Sequence, residues 1–331
     1  MSKGWLAPLG LASLLWFTWP GECAAWQNHD LLMQIILAQE HWLTGYQQLS
    51  VEVIPASDRS VYNARYLPVY LDHLPGEKQD ALEILERYAD EPEWGMDTEL
   101  ELSPFQPVMG GSKGYRHQYY YFAVGIVRIG AAPERVSHFY RLAVTAAREG
   151  NWYWAFRQLA RSLHYLADMG QPLNTRSFLY SWLWQTRFVP NSLTKLAKNY
   201  QLAYEVFADQ HLQAERSTRE GPLLAALRHP PKLPFEDPQT AARALAEYNS
   251  KRAPALLKML EQFLPRRIKS PKKMIIPAVP EIRPLHPPVV YHEIMDSTSR
   301  SLELTAGAIH AVLALAQRDF AKLRKKVTSE E

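Results

Sequence analysis

Apolar positions recur at helical spacing through most of the chain. Between Gln27 and Tyr46 the apolar set is Leu31, Leu32, Ile35, Ile36, Trp42 and Leu43, one face of a helix that Asn28 is placed to cap. The same periodicity predicts helices over 66–74, 80–88, 133–149, 152–169, 193–219, 239–263 and 297–324. Gly150 separates 133–149 from 152–169, and Gly170 with Pro172 stops the latter. Residues 49–61 read as extended or irregular, and the prolines of 221–238 read as a loop. No alternating pattern persists long enough for a sizeable sheet. The pattern therefore predicts an all-α architecture, a single multi-helix domain.

Polar residues on one predicted helix carry the candidate chemistry. His164 and Asp168 interrupt an apolar stretch and lie four apart, so both project from the same side. Leu159, Leu163 and Leu166 lie on or beside that face. An imidazole and a carboxylate projecting together suit a divalent ion such as zinc. Taken alone, the pair reads more readily as a His–Asp hydrogen bond or a helix-surface pair. Upstream, Tyr88 to Asp97 breaks helicity at Pro92 and Gly95 and gathers four carboxylates among aromatic residues, the composition of a solvated acidic loop. Gly110, Gly111 and Gly114 lead into an aromatic run, Tyr115 to Phe122, suited to packing or to stacking on a ligand.

Composition narrows the classes. At 47% hydrophobic and 21% charged, 331 residues supply a large core, and a net charge of +3 is too small to imply nucleic acid by bulk electrostatics. Lys3, the apolar run Trp5–Trp19, the break at Pro20-Gly21 and the small residues Cys23-Ala24-Ala25 form a signal-peptide pattern over residues 1–25, with cleavage leaving Trp26 first; an uncleaved anchor is the alternative. Cys23 is the sole cysteine, so residues 26–331 contain neither disulfide nor thiolate chemistry. Any metal there is held by His, Asp, Glu, amide oxygens or main chain. There is no Gly-rich phosphate loop and no Gly-x-Ser-x-Gly elbow. Residues 265–288 are Pro-rich and basic, the composition of a solvated arm, with contact to an anionic lipid surface as the sharper reading.

The stretch Ser162-Leu163-His164-Tyr165-Leu166-Ala167-Asp168-Met169-Gly170-Gln171-Pro172-Leu173 resembles the signature of the zinc-dependent phospholipases C and the related fungal single-strand nucleases. In that family a His-x-x-x-Asp pair on a helix precedes Gln-Pro, three zinc ions cluster, and the secreted chain begins with a metal-binding tryptophan. The resemblance implies metal ligands at Trp26, His29, Asp90, His117, His164, Asp168 and Glu205, with His29 at a short spacing from Trp26. Asp168 is expected to bridge two ions. One ion takes Asp90, His117, His164 and Asp168; another takes Trp26, His29 and a second oxygen of Asp168. Asp90 is the catalytic candidate, orienting water or accepting its proton.

Two positions depart from the pattern. Asn174 and Gln201 stand where the family has histidines, which weakens the third site and leaves Glu205 as its strong ligand. A rival alignment uses His211 and Glu215 for that pair; the flanking Tyr204–Phe207 favours the first. The resemblance thus implies a secreted or periplasmic phosphodiester hydrolase with two zinc ions and a doubtful third. Mild charge and the basic arm lean to phospholipid, with peripheral membrane contact. Tyr115 and Tyr119–Tyr121 offer base stacking as the nuclease alternative. A metal-binding protein that has lost catalysis is the third reading, carried by Asn174 and Gln201. The remaining histidines (His41, His73, His138, His229, His286, His292 and His310) have no ligand-like partner in sequence.

Overall fold

The computed structural model describes residues 29–53, 73–96, 103–104, 106–122, 127–177, 190–270 and 288–330. Among these, the chain is mostly helical, as its periodicity predicts. The α-helices of the described residues are α1 (His29–Leu37), α2 (Ala81–Tyr88), α3 (Gly111–His117), α4 (Ala132–Arg148), α5 (Trp152–Asp168), α6 (Pro190–Thr218), α7 (Pro222–Arg228), α8 (Pro238–Phe263) and α9 (Pro288–Glu330). Two short antiparallel pairings are added: β1 (Leu49–Ser50) with β2 (Lys78–Gln79), and β3 (Tyr119–Phe122) with β4 (Val127–Gly130). No helix among the described residues is long and apolar enough to cross a membrane.

The first predicted helix ends early: α1 stops at Leu37 and a 3₁₀ turn, His41–Gly45, follows. The 221–238 stretch is not all loop. Pro222 sits at the first turn of α7, where its missing N–H costs nothing, and the next proline is Pro230, so a seven-residue helix fits between them. Most of the predicted 66–74 helix lies outside the described residues, and His73–Leu74 are not helical. The 1–25 leader, Trp26 and residues 271–287 of the basic arm also lie outside them. The arm's described start carries a main-chain contact, with Lys269 Nζ donating to the carbonyl of Glu261 at 2.7 Å.

Helix α5 is the axis of the molecule. Every side chain from Tyr153 to Asp168 is buried. It packs chiefly on α4, and α2 and α9 cover other sides. Asn151 caps its start by accepting from the Trp154 amide at 3.1 Å. Its end is held by Asn249 of α8, whose Nδ2 donates to the Met169 carbonyl at 2.9 Å, and Ser301 of α9 donates in turn to Asn249 Oδ1 at 3.0 Å. Helix α8 carries Pro254 in its interior on an exposed face. The amide that proline lacks would have bonded the Ser250 carbonyl, and Arg176 Nη1 donates to that carbonyl instead at 3.3 Å.

At Gly170, just past the end of α5, Thr305 of α9 packs against the main chain. A Cβ there would stand 2.0 Å from Thr305 Oγ1 and 2.9 Å from the Ala167 carbonyl. Gly170→Ala is expected to cost about 1–3 kcal/mol in urea unfolding, as overpacking does, and Thr305→Ala in the same chain should recover part of it. Unchanged stability of Gly170→Ala would mean that α9 yields freely.

Candidate metal centre

The acidic turn is a 3₁₀ helix, Glu91–Trp94, with Asp90 at its N-cap. In a 3₁₀ helix residues three apart eclipse, so Asp90 and Glu93 project on one side while Glu91 points roughly 120° away. Glu91 is fully buried and meets α5. Arg157 Nη2 donates to its Oε1 at 2.5 Å, and Arg161 Nε donates to its Oε2 at 2.6 Å. Burial disfavours the charged carboxyl, but the two guanidinium groups outweigh it and hold it down to about 2. Arg157 is itself fixed: its guanidinium lies 3.8 Å from the Tyr88 ring centroid and donates to Tyr153 Oη at 2.8 Å.

Six histidine and carboxylate side chains converge on the other side of the turn. Asp168 Oδ2 lies 2.8 Å from His117 Nδ1 and 3.4 Å from His164 Nε2. Its Oδ1 lies 3.5 Å from His29 Nε2. His117 Nδ1 is 3.0 Å from His164 Nε2, and Glu93 Oε1 is 3.4 Å from the first and 3.8 Å from the second. His164 Nδ1 meets the Ala89 carbonyl at 2.6 Å. A carbonyl only accepts, so Nδ1 carries the hydrogen and Nε2 presents its lone pair inward. Asp90 Oδ1 accepts from the His29 main-chain amide at 3.0 Å and stands 3.4 Å from His29 Nδ1. Lys113 Nζ pairs with Glu93 Oε2 at 2.5 Å.

The spacing fits a small divalent cation. Zinc bonds of about 2.0–2.2 Å set tetrahedral donors about 3.3–3.6 Å apart; the separations of His117 and His164 from each other and of each from Glu93 and Asp168 run from 2.8 to 3.8 Å. Polar atoms are left unpaired there: Glu93 Oε1, Asp168 Oδ1 and both ring nitrogens of His29 are buried without a hydrogen bond. A second group, His29, Asp90 and His164, has ligand atoms within 4.8 Å of one another. His29, His117, His164 and Asp168 are buried, whereas the Asp90 and Glu93 side chains are 20% and 13% exposed. Solvent therefore meets the group at the acidic turn.

The carboxylates and imidazoles set one another's charge. Burial disfavours the His29 cation, but Asp168 and then Asp90 raise it to about 10. Burial, with His29 beside it, pushes His164 well below the ordinary imidazole range, so it stays neutral, as a ligand requires. Burial opposes the Asp168 anion too, yet His164 and His117 hold it below the usual carboxylate range.

The expected third position is differently built. Gln201 Nε2 donates to Asn174 Oδ1 at 3.1 Å, the Asn174 amide donates to Gln171 Oε1 at 3.0 Å, and Gln171 Nε2 donates to Glu205 Oε1 at 3.2 Å. Burial pushes the Glu205 carboxyl well above its ordinary range, and nearby Asp209, Glu93 and Asp168 add to the shift against the Gln171 hydrogen bond. The rival pair is occupied elsewhere: His211 Nδ1 donates to the Phe207 carbonyl at 2.6 Å, and Glu215 Oε2 accepts from the Leu224 amide at 2.8 Å.

Of the expected residues, His29, Asp90, His117, His164 and Asp168 are together. Asp90 lies beside His29, while Glu93 is the carboxylate next to His117 and His164. Glu205, Asn174 and Gln201 form the adjoining amide network. Trp26 lies outside the described residues. Sequence reasoning missed Glu93, the Ala89 carbonyl and the Glu91–Arg157–Arg161 cluster. The signal was present, since Arg157, Arg161, His164 and Asp168 fall within roughly 60° of one another around a helix.

No family model and no curated protein sequence matches the chain. Among solved structures it is similar to the alpha toxin of Clostridium absonum, at 12% identity and a TM-score of 0.40, over 92% of this chain and 67% of that one. It is also similar to the alpha toxin from an avian strain of Clostridium perfringens, at 14% identity and a TM-score of 0.37, over 91% of this chain and 66% of that one. The chain thus spans about two thirds of the length of each toxin.

Proposed function

We propose that this chain is a secreted, metal-dependent phosphodiester hydrolase of the phospholipase C kind. The observation that carries the reading is the convergence of Glu93, His117, His164 and Asp168 at donor spacing in a buried site opening past an acidic turn. These four residues would hold one zinc ion. His29, the other Asp168 oxygen and the freed amine of Trp26 would hold a second, once cleavage follows Ala25. Bound ions of this kind supply hydroxide near neutral pH and neutralise charge on the phosphoryl oxygens.

The chain's own groups do the remaining work. Asp168 presents one oxygen to each histidine set, so it fixes their separation. The Ala89 carbonyl fixes the His164 tautomer. Asp90, partly exposed and anchored by the His29 amide, is placed to orient a water molecule or take its proton. At the third position amides stand where the family has histidines and bond one another, and Glu205 Oε1 is taken by Gln171 Nε2. Two ions are therefore proposed, not three.

Mild net charge and the basic residues of 265–288 favour phospholipid over single-stranded nucleic acid, and two of the four tyrosines offered for stacking are taken up. Tyr119 is buried, and Arg128 lies 5.3 Å from the Tyr121 ring centroid, so neither is an open stacking platform. A metal-binding protein without turnover is the second reading, favoured by the amide network. The test is elemental analysis, amino-terminal sequencing and turnover of a choline phosphodiester and of single-stranded DNA. Two zinc ions per chain, Trp26 at the terminus, and choline-ester turnover lost to chelator and restored by zinc are expected. Bound zinc without turnover would favour the second reading, and no bound metal would end both.

A further inference from the structure

We infer that Glu91, gripped between Arg157 and Arg161, is a positioning residue that sets the acidic turn against the histidines of the metal centre. This rests on the metal-site reading above and concerns residues that contact no proposed ion.

The turn meets α5 at successive heights along one stripe. Glu91 meets Arg157 and Arg161, the Ala89 carbonyl meets His164 Nδ1, and Glu93 Oε1 faces His164 Nε2 and His117 Nδ1. One short 3₁₀ turn thereby presents Asp90 and Glu93 to the histidines while its third carboxylate faces away into the helix. Something must hold it there, because Asp168 and Glu93 approach the same ring nitrogens and repel each other before a cation arrives. The grip is rigid. Both guanidinium groups are buried, Arg161 Nη1 also donates to Gln158 Oε1 at 3.0 Å, and Arg157 is wedged between Tyr88 and Tyr153. Planar forked donors fix the direction of a carboxylate, which a lysine ammonium does not.

The test uses Glu91→Asp, which keeps the charge but shortens its reach by one methylene, and Arg161→Lys, which keeps the charge but loses the fork. Zinc affinity of the purified protein is read by competition with a chromophoric chelator, and the visible spectrum of the cobalt(II) form is recorded below the unfolding temperature. Either folded variant is expected to bind zinc about 10- to 100-fold more weakly, as loss of an outer partner typically does, with an altered cobalt spectrum. A purely structural role would lower the melting temperature and leave both readouts of the folded protein unchanged, which would overturn the proposal. Failure of both variants to fold would assign the cluster to stability alone and overturn it equally. Absence of zinc binding by the unmodified protein would instead remove the metal-site reading, and this proposal with it.

Discussion

Asp168→Asn is expected to lower kcat/KM on a phosphodiester by at least about 1,000-fold, roughly 4 kcal/mol of transition-state stabilisation. Asp168 serves both histidine sets: Oδ2 faces His117 and His164, and Oδ1 faces His29. Asparagine preserves the shape and one acceptor oxygen but places an amide where the second must be, and amides are poor zinc donors. Zinc content should therefore fall together with turnover. Asp90→Asn should behave differently, with zinc retained and mainly kcat reduced, because Asp90 is proposed to act on water. Full zinc loading and unimpaired turnover in Asp168→Asn would remove the shared-carboxylate mechanism.

Much of this site was legible because it lies on a regular element. His164 and Asp168 belong to α5, where a spacing of four fixes a common face whatever surrounds it. The breaks at Gly150 and Gly170 that bound this helix were legible for the same local reason. Arg157 and Arg161 carry the same periodicity, yet arginine is seldom buried, and only the tertiary fold supplies Glu91 as the partner that makes burial tolerable. Choosing between Asp90 and Glu93 was beyond the sequence, since the 3₁₀ geometry of the turn decides which carboxylate faces which histidine. Helix α7 was missed because its prolines were read as breakers, when Pro222 starts the helix. Asn174 and Gln201 were legible as departures, but not as partners of each other.

Glu91→Gln carries the largest expected loss of stability. It leaves two buried guanidinium groups without a counter-charge, and breaking a buried ion pair from one side typically costs about 3–5 kcal/mol. For a fold of ordinary stability that is a large fraction of the total. The loss should depend on pH in a defined sense. The Glu91 carboxyl is held down to about 2 in the fold, below its ordinary value of 4.5. Its charge therefore stabilises the fold in full above that ordinary value, and the contribution falls away as pH drops towards the folded value. The shift corresponds to about 3 kcal/mol. Urea unfolding of the metal-free protein and of Glu91→Gln should show the widest gap above pH 5, narrowing steadily towards pH 2, with other carboxylates common to both chains. Replacing Glu91, Arg157 and Arg161 together by methionine should cost less than Glu91→Gln alone, because no charge is then stranded. A gap below 1 kcal/mol at pH 7, or one that does not change with pH, would mean that solvent or another anion neutralises the two arginines and that Glu91 is not what holds the turn to α5.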